Sequence, residues 1–165
     1  MITIPLTILR RKLLGFKKYQ GNHLEICNQI IKDRYKGYFQ TGNHFKDFYI
    51  RDFSWCIEPL LELNYKEQVT NTLNLILTKN KVTTTITPLK LSINFFSEAA
   101  DSLPSLVKCL KLNNQINRNF IEKQTIKYLN LIDDSGLIKE NLNLSSIKDH
   151  YKRKSSMYDN CQVAL

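Results

Sequence analysis

The stretch FYIRDFSWCIEPLLEL, residues 48–63, decides how this sequence is interpreted. It begins with aromatic residues, continues with Arg51 and Asp52, contains the chain's only tryptophan, Trp55, and ends in apolar residues at helical spacing. A cation and an anion directly before such a helix can form a surface salt bridge, cap the helix, or bind a polar ligand. The rest of the chain has to decide between these possibilities.

Hydrophobic periodicity predicts a series of helices. The predicted helices span residues 22–36, 53–63, 66–79, 101–112, 117–132 and 156–165. Residues that cap or stop helices support these bounds, because Asn22 and Asp101 stand at two starts and Gly37 follows one end. Pro104 falls in a first turn, where proline is tolerated, whereas Pro59 predicts a kink or a later helix start.

The connections between the predicted helices alternate in length. Residues 64–65 and 113–114 are tight turns, whereas residues 37–52, 80–100 and 133–155 form long loops. Short loops join antiparallel helices, and long loops tend to carry function and can hold short strands. If alternate helices run in the same direction, all three long loops lead to helix N-termini on one face. Free N–H groups and partial positive charge make such a face a place where a ligand site can assemble.

Composition excludes several classes of protein. A chain of 165 residues with 42% apolar residues fits one domain with a real core. No apolar run approaches the roughly 20 residues of a membrane span, and the N-terminus places apolar residues before basic ones, the reverse of a secretory signal. We therefore expect a cytoplasmic protein that does not bind a membrane.

The cysteines and histidines give no sign of a metal centre. The three histidines lack metal-ligand spacing, so we expect no metal and no cofactor. The four cysteines are far apart, lie in apolar helical contexts and form no C-x-x-C pair. We expect them to be buried, reduced thiols: Cys27, Cys56, Cys109 and Cys161.

The net charge of +9 is concentrated at the N-terminus, where residues 1–40 carry eight basic and two acidic residues. The run RRKLLGFKK and the later cluster KDHYKRK at 148–154 are interleaved with aromatic residues. Such runs can contact nucleic acid or anionic lipid, although a solvated lysine-rich surface explains them as well. One interpretation of the chain is therefore a non-enzymatic helical binding module for an acidic partner or nucleic acid.

Three segments, in order and spacing, resemble the starts of inner helices in the six-hairpin, glucoamylase-like glycosidases: 51–55 (RDFSW), 101–106 (DSLPSL) and 147–165 (IKDHYKRKSSMYDNCQVAL). The family has an Arg-Asp pair, an Asp-Gly-Pro-Ala-Leu type motif and an acidic motif with a Ser-rich helix start at these places. The chain departs from this pattern at Ser102 and Leu103, and at Lys148-Asp149, where two carboxylates are expected.

The resemblance implies an all-α fold in which helical hairpins form about half of an (α/α)6 toroid, with minor strand content in the long loops. Residues 1–21 would be a basic and apolar extension, in which ITIPLTIL at 2–9 alternates as a strand does. Residues 22–165 would form three hairpins. Because the chain ends at Leu165 on the apolar stripe of an uncapped helix, we expect a truncated product or a partner that completes the architecture.

The resemblance also implies an inverting glycoside hydrolase that acts on α-glucosides, inactive unless a second half supplies its base. Arg51 and Asp52 would bind hydroxyls of the sugar at the cleavage point, and Asp101 would contact the same or the next sugar. Asp149 is the general-acid candidate, although adjacent cations suit an ionised carboxylate better than an acid.

The remaining implied groups and partners complete this interpretation. Trp55 and Tyr49 would stack on sugar rings, although a core role for Trp55 remains open. A helix cap likewise remains open for Asp101. The expected partners are an oligosaccharide and either a second chain that completes the toroid or a second copy of this chain. Nucleic acid and a membrane are not expected in this interpretation.

Overall fold

A computed structural model describes residues 3–15, 17–42, 46–79, 82, 85–87, 92–93, 98–139, 144–145 and 161. This part of the chain is mostly helical, as the periodicity predicted. Its helices are α1 (Thr3–Leu14), α2 (His23–Arg34), α3 (Ile50–Glu62), α4 (Lys66–Leu77), α5 (Ser102–Leu112) and α6 (Arg118–Leu129). Its strands are β1 (Phe48–Tyr49), β2 (Thr85–Ile86), β3 (Ser92–Ile93), β4 (Glu98–Ala99) and β5 (Leu144–Ser145). The all-α class and the strands in the long loops are therefore confirmed.

Local capping explains where several helices start. The side chain of Asn22 accepts a hydrogen bond from the N–H of Glu25, whose carboxylate accepts one from Asn22 N–H, so α2 begins with a capping box. Asn117 caps α6 in the same position through the N–H of Phe120. Pro59 lies well inside α3, which begins at Ile50, so the alternative of a later helix start is wrong.

Helix α1 corrects the strand-like interpretation of residues 2–9. From Thr3 onward, these residues belong to a helix that continues through Arg10, Arg11 and Lys12 to Leu14. Leu, Arg and Lys are strong helix formers, so this second half of the segment outweighs the alternation of the first half.

The helices α3 and α5 run parallel and pack on each other. Arg51 pairs with Asp101, and Glu58 lies 3.9 Å from Lys108. Both pairs join residues that are 50 positions apart, which requires the two helices to point in the same direction. Since α4 follows α3 and α6 follows α5 after tight turns, the described chain contains two consecutive helical hairpins with parallel first helices.

The two tight turns have the same backbone geometry. Each contains an asparagine with positive φ, Asn64 at 65° and Asn114 at 55°. In each turn the residue after this asparagine donates its N–H to the carbonyl of the residue four positions before the asparagine, at 2.9 and 2.8 Å. These are the bonds of a Schellman motif, which ends helices in the left-handed conformation that asparagine tolerates.

Two small sheets tie the long loops together at one end of the hairpins. β1, β2 and β3 form an antiparallel sheet, and β4 pairs with β5 in parallel. β1 directly precedes α3, and β4 ends just before α5. The long loops therefore meet where α3 and α5 begin, as the alternation of short and long connections predicted.

The main core lies between α3, α4 and α5 and includes aromatic residues that precede α3, among them Tyr38, Phe39 and Phe48. α2 contributes no fully buried residue, so its predicted apolar stripe is largely exposed; Leu24, for example, is exposed. The cysteine prediction is correct for burial only at Cys109. The other cysteines are exposed, and all of them are free thiols: Cys27, Cys56 and Cys161.

The predicted sixth helix, at 156–165, lies outside the described residues except for Cys161, which is helical. No helix in the described ranges is long and apolar enough to cross a membrane.

Candidate functional site

The start of α3 is set by the strand before it. Tyr49 stands at the N-cap position with extended backbone, and its N–H donates to Oγ1 of Thr41 at 3.2 Å. Its side chain makes no capping bond and is half-buried, so stacking of this ring on a sugar stays a prediction. Asp52 lies in the first turn of the helix, where a negative charge is favourable, but it is not the cap.

Arg51 and Asp101 meet at the end where α3 and α5 begin. Nη1 of Arg51 donates to Oδ2 of Asp101 at 3.2 Å, and the side chains are only 19% and 2% exposed. Asp101 occupies the N-cap position of α5 without a side-chain cap bond, so its carboxylate serves the ion pair instead. The predicted alternative of an ion pair within α3, between Arg51 and Asp52, is also wrong, because the pair joins two helices.

Three serines near the starts of α3 and α5 are buried. Ser54 lies on α3, and Ser102 and Ser105 lie on α5. Ser54 Oγ donates to the carbonyl of Arg51 at 2.7 Å, while the Ser102 hydroxyl is buried without a hydrogen-bond partner among the residues described. Small side chains let the two helix starts approach closely. The sequence analysis missed these serines, although the i, i+3 spacing of Ser102 and Ser105 was a visible signal.

Asp52 is not part of this ion pair. Its carboxylate is half-buried and makes no hydrogen bond or ion pair with any residue that the structure describes. Trp55 follows at i+3 and Cys56 at i+4, so all three lie on one face of α3. Although Cys56 as a whole is exposed, partial burial at the pocket raises the pKa of its thiol, and the nearby charge of Asp52 raises it further.

Trp55 is exposed, with 53% of its surface accessible. The alternative of a core role is therefore wrong for Trp55, while the neighbouring Phe53 is buried. An exposed indole next to a carboxylate without a described partner combines an apolar face with a hydrogen-bond acceptor. This pair is the feature of the described surface that best suits a polar ligand with apolar faces.

A pocket of about 260 Å³ opens beside Asp52, between α2 and α3. Its lining is mostly apolar: Ile30, Ile31, Arg34, Phe39, Gln40, Thr41, Phe48, Asp52, Phe53, Cys56 and Leu60. Three of the lining rings are in contact, with centroids 5.8 Å apart for Phe39 and Phe53 and 5.3 Å apart for Phe48 and Phe53. The sequence analysis missed the pocket because it joins α2 to α3 across a long loop.

Asp149, the general-acid candidate, lies outside the described residues, and so does the rest of the cluster at 148–154. The resemblance assigned sugar-binding or catalytic roles to Arg51, Asp52, Asp101 and Asp149, and of these the structure brings Arg51 and Asp101 together. It places Asp52 on the adjacent face of the same helix. Within the described ranges, no group of three or more His, Cys, Asp or Glu side chains is arranged to hold a metal ion.

Comparisons of the chain with protein-family models, curated proteins and solved structures gave no match.

Proposed function

We propose that this chain forms one wall of a carbohydrate-binding site in a partial (α/α) toroid of glycosidase type. The observation that carries the proposal is that the Asp52 carboxylate and the exposed ring of Trp55 lie on the same face of α3. A sugar presents vicinal hydroxyls, which a carboxylate accepts, and C–H faces, which pack on an aromatic ring.

The repeated hairpin supports the toroid. α3 with α4 and α5 with α6 are joined by the same turn, and their first helices run parallel. A toroid of helical hairpins is built by repeating such a unit about an axis, with the first helices inside. The loops that converge at the start of α3 and α5 place the candidate site at the end of the unit where such a fold can collect side chains from several hairpins.

Arg51 and Asp101 have a positioning role in this proposal. Because the Asp101 carboxylate is 2% exposed, the ion pair stabilises the meeting of two helix starts rather than presenting free oxygens to a sugar. By fixing the first turn of α3, it also fixes the direction in which Asp52 projects.

Hydrolysis with inversion requires two carboxylates about 6.5–9.5 Å apart across the scissile bond. The proposal assigns Asp52 to binding and keeps Asp149 as the general-acid candidate, and it takes the base from a second half of the toroid. We therefore expect the chain alone to bind an α-linked oligosaccharide without cleaving it.

The single tryptophan makes the test direct, because fluorescence excited at wavelengths that the eight tyrosines do not absorb reports on Trp55 alone. We expect maltooligosaccharides to change this fluorescence in a saturable manner, and Asp52→Asn to abolish the change without loss of helicity. Glu62→Gln is the matched control, since Glu62 is an exposed carboxylate at the other end of α3. Equal titrations for the wild type and Asp52→Asn would remove the sugar proposal.

The second candidate is the binding module for an acidic partner or nucleic acid. It is favoured by exposed Arg10 and Lys12 on α1, in the most basic part of the chain. Binding of RNA that weakens steeply between two salt concentrations, together with no response to sugars, would favour this candidate over the first.

A further inference from the structure

The pocket between α2 and α3 has the size of a small ring. An engineered apolar cavity of about 150 Å³ in another protein holds benzene, so a volume of about 260 Å³ accommodates a six-membered ring with a substituent. The contacts among Phe39, Phe48 and Phe53 provide a rigid aromatic lining, and Ile31 and Leu60 complete the apolar walls.

The polar groups of the pocket define how such a ring would be oriented. Arg34 already donates to the carbonyl of Gly42 at 3.5 Å. Asp52 is the lining carboxylate that makes no hydrogen bond or ion pair within the described part of the chain. A ligand with an apolar ring inside the pocket and hydroxyl donors at its edge satisfies both the lining and this carboxylate.

We infer that the pocket binds the apolar ring of an aryl glycoside, while its sugar lies over Asp52 and Trp55. The sugar half of this inference rests on the proposed function, whereas the ring half rests on the pocket. Binding of the ring buries apolar surface, so a phenyl glucoside should bind at least about tenfold more tightly than a methyl glucoside.

Alkylation of two thiols reports on the pocket separately from the sugar site when the ligand is phenol, which carries no sugar. Cys56 lines the pocket, and Cys27 is exposed on α2 outside it. Alkylation by iodoacetamide can be followed at each cysteine by mass spectrometry. A ligand at about ten times its Kd should slow alkylation of Cys56 about tenfold and leave Cys27 unchanged.

The experiment uses phenol, methyl α-glucoside and phenyl α-glucoside, with Cys56 alkylation and Trp55 fluorescence measured for each. We expect phenol to protect Cys56, methyl α-glucoside to change the fluorescence, and phenyl α-glucoside to do both at lower concentration. Protection by phenol and phenyl α-glucoside at the same concentration, with no fluorescence response, would uphold the ring pocket and overturn the carbohydrate proposal.

A different set of results would uphold the sugar site and reject the ring pocket. If both glucosides change the fluorescence at the same concentration and phenol does not protect Cys56, the sugar site stands and the inference about the ring is wrong. Ile30→Phe, at the half-exposed edge of the pocket, should fill it and abolish protection by phenol. Leu24→Phe, on the exposed part of the same helix, is the control and should leave protection intact.

Discussion

Two ion pairs join α3 to α5, one at each end of their interface, and each links residues that are 50 positions apart. The pairs differ in how far their side chains are exposed to solvent. At the helix starts, Arg51 and Asp101 lie 3.2 Å apart and are largely buried. Two turns further, Glu58 and Lys108 lie 3.9 Å apart with side chains that are 56% and 45% exposed. The parallel register brings both pairs together, but only in the buried pair is the loss of one partner costly, because the remaining buried charge is poorly solvated.

The largest effect should come from the buried pair. We expect Asp101→Ala to lower the free energy of unfolding by about 3 kcal/mol, because it leaves the Arg51 guanidinium mostly buried without this carboxylate. The measurement is urea denaturation followed by circular dichroism, with the midpoint and slope fitted for each variant.

A double variant separates the charge from the packing. Arg51→Met with Asp101→Leu replaces both partners by apolar groups, and it should recover most of the stability that Asp101→Ala loses. A loss below about 0.5 kcal/mol in Asp101→Ala would contradict the burial of the pair, since that is the size of an exposed one.

A buried thiol near the same interface should make the free energy of unfolding depend on pH. Cys109, next to Lys108 in the sequence but inside the core, has its pKa raised by burial to about 12. Between pH 9 and 12 the folded protein keeps a proton that the unfolded thiol loses, so stability falls as the pH rises. From pH 8 to 10 the wild type should lose about 1.4 kcal/mol more than Cys109→Ala.

The quantity compared is the change in the free energy of unfolding with pH. The cavity in Cys109→Ala lowers stability by the same amount at every pH, so it does not affect this comparison. Lysine and tyrosine titrations are common to both proteins and cancel. Equal pH slopes in the two proteins would mean that the thiol is solvated in the folded state, and the core between α3 and α5 would then be more open than the structure has it.

The two turns test whether the hairpins are equivalent units. Asn64→Ala and Asn114→Ala should each lower the free energy of unfolding by about 1 kcal/mol, since alanine is strained at positive φ. Glycine at the same positions should be close to neutral. Clearly different losses at the two positions, measured by urea denaturation, would show that the matching backbone hydrogen bonds do not make the hairpins energetically alike.

Much of the local structure could be predicted from the sequence because its signals are local. Asn22 and Asn117 mark helix starts through bonds to residues three positions later, and Pro104 is confined to a first turn. The convergence of the loops that lead to α3 and α5 also followed from the loop lengths, on the assumption that alternate helices run in the same direction. α1 was missed because its first half alternates in a pattern that is typical of strands.

The candidate site was harder to predict because it depends on contacts that are distant in sequence. Phe53 and Trp55 are both large aromatic residues, so residue type alone could not show that Phe53 is buried while Trp55 is exposed. The pairing of Arg51 with Asp101 spans 50 residues, and only the register of two packed helices determines it. The sequence therefore identified the residues at the helix starts but not which of them bind each other.

Removing the exposed ion pair of Glu58 and Lys108 should change the free energy of unfolding least among these variants. Glu58→Gln should lower the free energy of unfolding by about 0.3 kcal/mol in low salt, because water solvates both partners when they separate. Added salt should remove this difference, since it screens exposed charges much more than buried ones. The same salt series on Asp101→Ala should leave most of its loss in place, because the Arg51 guanidinium is largely shielded from solvent. If the two losses instead fell together with salt, the N-terminal ion pair would be as solvated as Glu58 and Lys108, and it could not fix the direction in which Asp52 projects.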